Sequence, residues 1–224
     1  MEEIDNSVLF YDHSLFPWDA SVILSLFVCY HSHLFLNSNI LELSAGTSAL
    51  PSFFSAKLCN SNVVSCEKSD SFVLSLLQKN VSLFPSLNIA VRTFDWGTFP
   101  NLHDIQVWGK LNFVFAADIF YSNQCFDPIL ASISYILMNN ENCKCYVSYV
   151  LRDEESSIQM LLKKWDLCAK EISLGFLSLE LYLHFYSLQN ISTQTIKERY
   201  FSLRSSSQVF EISMKKPVFN SYDI

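Results

Sequence analysis

Apolar positions along this chain fall into two alternating patterns, short buried-looking runs and longer amphipathic or fully apolar ones. Trp18 to Tyr30 is apolar on most faces, which predicts a helix packed into a core. Asn39 to Leu43 predicts a short, fully buried strand, and Leu50 to Leu58 a helix after it. "NVVSC" at 62–66 predicts a second strand ending at Glu67, and "SFVLSLLQKN" at 71–80 a helix starting near Ser71. "NIAVRTF" at 88–94 and "LNFVFAAD" at 111–118 give a third and a fourth strand. Phe126 to Met138 reads as helix, "CKCYVSYV" at 143–150 as a fifth strand, and Ser156 to Cys168 as an amphipathic helix.

This rhythm predicts a Rossmann-like α/β fold: a mostly parallel sheet with helices on both faces. The C-terminal quarter breaks it. "CAKEISL" and "QVFEISMKK" both read as strands, which predicts an antiparallel pairing at one edge of a seven-stranded sheet. Between them, 175–206 is Ser-rich, and its "LSLELYLHFYSL" fits strand or helix equally. No repeat or long linker divides the chain, so residues 1–224 are expected to form one domain, with 175–206 an insert in it.

Composition narrows the function classes. Half of the 224 residues are hydrophobic and 19 are Phe, which excludes a disordered chain. A net charge of -7 argues against a direct nucleic-acid partner and suits a cationic peptide better. Seven cysteines without a CxxC pair argue against a disulfide framework and for a reduced compartment, cytoplasmic or nuclear. Cys143 and Cys145 point the same way along a strand, but no second pair stands near them in sequence, so no metal is expected. Met1-Glu2-Glu3 opens acidic, unlike a signal peptide, and 20–36 falls short of a spanning helix, so no membrane partner is expected.

In an open parallel sheet, ligands sit beyond the carboxyl ends of the strands. Unusual residues stand at four such ends: Ser44-Ala45-Gly46, Glu67, Asp95-Trp96 and Asp118. Within the first loop only Gly46 takes a positive φ at no steric cost, and a plain strand-to-helix turn explains that loop equally well. Glu67 stands where a ribose-binding carboxylate belongs, and Trp96 offers an aromatic face. Asp118 and Tyr121, three apart, can share a cleft. There is no GxSxG, no GK[ST] loop, and no histidine–carboxylate spacing that suggests a triad.

Trp18, "LELSAGTSALP", "VVSCE", "DWG" and "AADIFY" together resemble the seven-β-strand, S-adenosylmethionine-dependent protein methyltransferases of family 16. Within that family, "FAADIFYSNQCFDPILASISYILM" and "VSYVLRDEESSIQMLLKKWDL" resemble the methyltransferase-like protein 23 group. The likeness covers about 16–174 and resumes near 208. It implies S-adenosyl-L-methionine as cofactor, bound by Trp18, Glu42, Ser44, Ala45, Gly46, Glu67, Trp96 and Ala117. It implies that Asp118 and Tyr121 face the incoming amine of a protein or peptide substrate, a lysine or an arginine side chain, and that the enzyme acts as a monomer. Two departures stand out: the family's first loop glycine is Ser44 here, and the glycine after the loop proline is Ser52. They keep a binding module on a disabled methyltransferase sheet in play, and a narrow, enclosed pocket over Asp118 would instead favour a small-molecule methyltransferase.

Overall fold

The computed structural model describes residues 18–99, 109–150, 158–186 and 193–215. Helix α1 (Asp19–Tyr30) precedes strand β1 (Asn39–Leu43), followed by α2 (Leu50–Cys59), β2 (Asn62–Glu67), α3 (Ser71–Ser82) and β3 (Ile89–Thr93). Then come β4 (Phe113–Ala117), α4 (Asn123–Met138), β5 (Lys144–Val150), α5 (Gln159–Lys164) and β6 (Leu167–Ile172). Helices α6 (Leu179–Tyr186) and α7 (Thr193–Ser206) lead into β7 (Ser207–Met214).

The strands form one seven-stranded sheet in the order β3-β2-β1-β4-β5-β7-β6. β1 to β5 pair in parallel, while β7 runs antiparallel to both β5 and β6. The expected antiparallel pairing therefore sits at one edge, with β7 one strand in. Alternation along each strand divides the core between two faces. Ile40, Val63, Phe115, Tyr146 and Val209 pack with α1, α2 and the helices of the 175–206 segment. Leu41, Cys66, Val114, Ala116, Cys145 and Ile212 pack with α4 and α5. Leu77 and Val81 seat α3 beside α2.

Two sequence expectations change. The helix expected over 156–168 is α5, only Gln159–Lys164, with 156 and 157 outside the described residues. Asp166 takes a left-handed φ of 52°, which stops the helix, and Leu167 then pairs with Met214. The ambiguous 175–206 segment is helical where described, because Tyr182, Ile196, Tyr200 and Leu203 bury against the α1 face.

The amino ends of the strands are tied by a row of asparagines. Asn62 Nδ2 donates to Asn39 Oδ1 at 2.8 Å, and Asn88 Nδ2 donates to Asn62 Oδ1. Asn112 Oδ1 accepts from the Asn39 N–H at 2.8 Å, and Asn140 Oδ1 from the Leu111 N–H at 2.8 Å. Among the described residues no helix is long and apolar enough to cross a membrane.

Candidate active site

The carboxyl ends of β1, β2 and β4 bring the expected residues to one end of the sheet. After β1 the backbone turns left-handed at Ser44 (φ 52°), at Gly46 (φ 60°) and at Ala49 (φ 40°). The sequence points to Gly46 alone. The structure asks the same of Ser44, at a cost of about 1–2 kcal/mol for a residue with a Cβ. Glu67, buried at the end of β2, holds this loop. Its Oε2 accepts the Gly46 N–H at 2.7 Å and its Oε1 accepts the Lys68 N–H at 2.9 Å. The Ala45 N–H donates to the Cys66 carbonyl at 2.9 Å, so two consecutive loop amides face β2.

Glu42 lies on the α1–α2 face, only 1 % exposed. Its Oε2 accepts from the Ser52 N–H at 2.9 Å and from the Ser52 hydroxyl, which lies 2.5 Å from Ser65 Oγ. Burial pushes the Glu42 carboxyl up to about 8, the Ser52 hydrogen bonds pull it back, and the charge of Glu67 raises it further. Ser52, where the family resemblance implies glycine, thus gives a buried acid two donors. Its hydroxyl is a working part of the chain.

The loops after β2 and β3 are tied together. Asp95 Oδ1 accepts from the Ser69 N–H at 2.9 Å and Oδ2 from the Ser69 hydroxyl, which hold its carboxyl below the usual range. Trp96 lies tilted against Tyr121, ring centroids 5.9 Å apart. Gly97 (φ 75°) donates its N–H to Ser132 Oγ at 2.9 Å, and a Cβ there would meet Pro128 Cβ at 3.2 Å. This glycine is required by both its backbone and its neighbour.

At the end of β4, Ala117 pairs with Ser148 of β5. Asp118 follows in the left-handed region (φ 55°), 9 % exposed, and its N–H donates to the Ser148 carbonyl at 2.8 Å. Tyr121 is half exposed. Burial, then the Cys125 thiol that shares its hydrogen bond, then Glu67 push the phenol up to about 12, so it keeps its proton near neutrality. Trp18 caps α1, with 38 % of its surface exposed. Ser148 Oγ donates to the Ala20 carbonyl at 2.7 Å, which brings the first turn of α1 to the same end of the sheet.

Sequence reasoning marked Ser52 only as a departure and missed Ser65, Ser69, Cys125 and Ser148. Ser65 and Ser148 carried a readable signal, as polar residues inside apolar strands. Cys143 and Cys145 are both buried on the α4 face, their thiols pushed well up by burial. Among the described residues no three His, Cys, Asp or Glu groups converge on a metal position. His31 and His33 sit at the far end of α1, away from this site, and His13 and His103 lie outside the described residues.

A left-handed loop is thus gripped by the acid of the next strand, and a further acid stands at the end of β4. The family model of the lysine methyltransferases, methyltransferase family 16, matches residues 12–164. The chain belongs to this family. It is a protein methyltransferase. Its relatives include methyltransferase-like protein 23 of Dictyostelium discoideum, 29 % identical over 188 residues, 76 % of this chain and 74 % of that one. The human histone-arginine methyltransferase METTL23 is 26 % identical over 161 residues, 71 % of this chain and 83 % of that one.

Solved structures share the fold. A putative sarcosine dimethylglycine methyltransferase from Galdieria sulphuraria aligns with a TM-score of 0.53 at 10 % identity, covering 91 % of this chain and 93 % of that one. A Haemonchus contortus phosphoethanolamine N-methyltransferase, solved with S-adenosylhomocysteine, aligns with a TM-score of 0.53 at 13 % identity, covering 87 % and 52 %.

Proposed function

We propose that this methyltransferase uses S-adenosyl-L-methionine and methylates a lysine or arginine side chain of a protein, acting as a monomer in the cytoplasm or nucleus. The observation that carries the cofactor is the Glu67 grip on Gly46. It sets the left-handed backbone of Ser44 and Gly46 directly beside a buried carboxylate at the end of β2, the arrangement a cofactor loop and a ribose-binding acid require. When bound, the cofactor supplies an electrophilic sulfonium methyl. Ser44, Ala45 and Gly46 would lie under it and Glu67 would take its ribose hydroxyls. Trp96 would flank the adenine, and Ala117 and Trp18 would wall the pocket, with Glu42 supporting the loop from below.

The substrate's part falls to Asp118 and Tyr121. Transfer to nitrogen needs a neutral amine with its lone pair in line with the methyl, and orientation alone supplies several kcal/mol. Asp118 orients the nitrogen by accepting its hydrogen. Tyr121, kept protonated, offers a neutral oxygen beside it and adds no charge. The -7 net charge favours a basic segment such as a histone tail, the substrate class named for the human relative. The family description supports lysine and the relatives' names support arginine. The test is to incubate the protein with labelled cofactor and nuclear or cytosolic extract and map the modified residue. Label on a lysine or arginine is the expected result. No calorimetric heat at millimolar cofactor would replace this reading with a binding module.

A further inference from the structure

β6 runs parallel to β1–β5, so it ends at the site end of the sheet, and β7 starts there, with Ser207 opposite Val150 and Ile172 opposite Val209. The connection between them, which lies beyond the family match to residue 164, therefore emerges beside the active site. Its helices form a braced unit. The Tyr182 ring lies 4.9 Å from Tyr186 and 5.5 Å from Tyr200. Tyr200 Oη and Arg204 both donate to the Leu177 carbonyl, at 2.9 and 3.1 Å.

This unit grips α1 at both ends. At the C-terminal end Phe176 packs on Phe27, ring centroids 5.3 Å apart. At the N-terminal end Arg199 forms an ion pair with Asp19, with its guanidinium 5.5 Å from the Tyr186 ring. Asp19 is the first residue of α1, where a negative charge also suits the helix dipole. The next residue, Ala20, is the one that Ser148 holds, and Ser148 in turn accepts the Asp118 N–H. One helical turn is thus pinned from the insert on one side and from the catalytic strand end on the other.

We propose that Arg199 is a positioning residue: through Asp19 it fixes the first turn of α1, and Trp18 with it, against the carboxyl ends of β4 and β5, so that the insert tunes cofactor binding. The inference rests on reading this end of the sheet as the S-adenosylmethionine site. Removing the pair loosens the turn without touching the loop at Gly46.

The test uses the full chain as wild type, Arg199→Ala, Arg199→Lys and Asp19→Asn, with two readouts: amide exchange over residues 18–22 and calorimetric S-adenosylmethionine affinity. Arg199→Ala and Asp19→Asn are expected to speed exchange in that turn and weaken the cofactor about fivefold, the size of a part-exposed ion pair. Arg199→Lys, which keeps the charge, is expected to recover most of the affinity. Wild-type binding with unchanged affinity in the folded alanine and asparagine variants overturns the inference and spares the site reading. A wild type that binds no cofactor fails the site reading instead. The exchange readout then decides the brace by itself, and unchanged exchange overturns it.

Discussion

The two ends of this parallel sheet are built from different chemistry. At the amino ends, Asn39, Asn62, Asn88 and Asn112 bond side chain to side chain or to a neighbouring strand's backbone. The amides of this row are neutral and tie neighbouring strands in register, and the Lys144–Glu211 ion pair continues the tie to β7. At the carboxyl ends stand Glu42, Glu67, Asp95 and Asp118. Left-handed backbone occurs at both ends, but before β1, β2 and β5 it falls on Asn37, Asn60 and Asn142, which take it readily, whereas after β1 it falls on Ser44 and Ala49 as well as Gly46. Those acids and strained residues cost stability, and a fold keeps such features where they serve a ligand. One end holds the sheet together and the other spends part of that stability on the site.

That contrast breaks if changes at the two ends have the same effect. The largest effect is expected from Gly46→Val, which forces a β-branched residue into the left-handed region: cofactor binding is lost in calorimetry while circular dichroism still shows the fold. Glu67→Ala comes next. It is expected to weaken S-adenosylmethionine binding by about 1.5–3 kcal/mol, the range for hydrogen bonds to a charged group. Unchanged affinity in a folded protein would move the ribose elsewhere.

Glu42 tests the cost of the site end through pH. Its folded value of about 8 exceeds the ordinary 4.5, so between these the folded chain holds a proton that the unfolded chain has released. Its favourable contribution is full below about 4.5 and is lost as pH rises towards 8, with a limiting slope of about 1.4 kcal/mol per unit. Denaturant titrations from pH 5 to 8 should show stability falling in wild type and a flatter profile in Glu42→Gln. Parallel profiles would mean that Glu42 is ionised throughout.

At the amino end, Asn62→Ala removes two side-chain hydrogen bonds and should lower stability by about 1 kcal/mol with cofactor affinity unchanged. A loss of affinity there would erase the distinction between the ends. The smallest effect is expected from Ser44→Gly. Relief of a left-handed Cβ should tighten cofactor binding or raise stability by up to about 1 kcal/mol.

The alternation of buried runs and helices was legible because each strand here is nearly uniform in polarity, so β1 to β5 emerge within a residue or two. Helix α5 was misread because Trp165 to Cys168 continue the amphipathic pattern. What stops the helix is the left-handed Asp166 and the pairing with Met214, a partner 47 positions away. Glu67, Trp96 and Asp118 were legible as charged or aromatic residues at strand ends. The Ser52–Glu42 contact was not, since serine at 52 looks like the mere loss of a glycine until α2 is folded over β1. The asparagine row had a plain signal that went unread: Asn stands just before or at the start of the runs at 39, 62, 88 and 112.

The place of β7 in the sheet sets an order for the chain as it is made. β7 is second from the edge yet comes last among the seven strands, after every element that it joins. Until it arrives, β5 shows a bare edge from Cys145 to Val150 and β6 has no neighbour to pair with. A nascent chain or a fragment cut before Ser207 would carry that apolar, hydrogen-bond-hungry edge into solution, where it invites pairing with other copies. A stop codon at 207 removes β7 whole and leaves that edge open, with insoluble protein as its expected outcome.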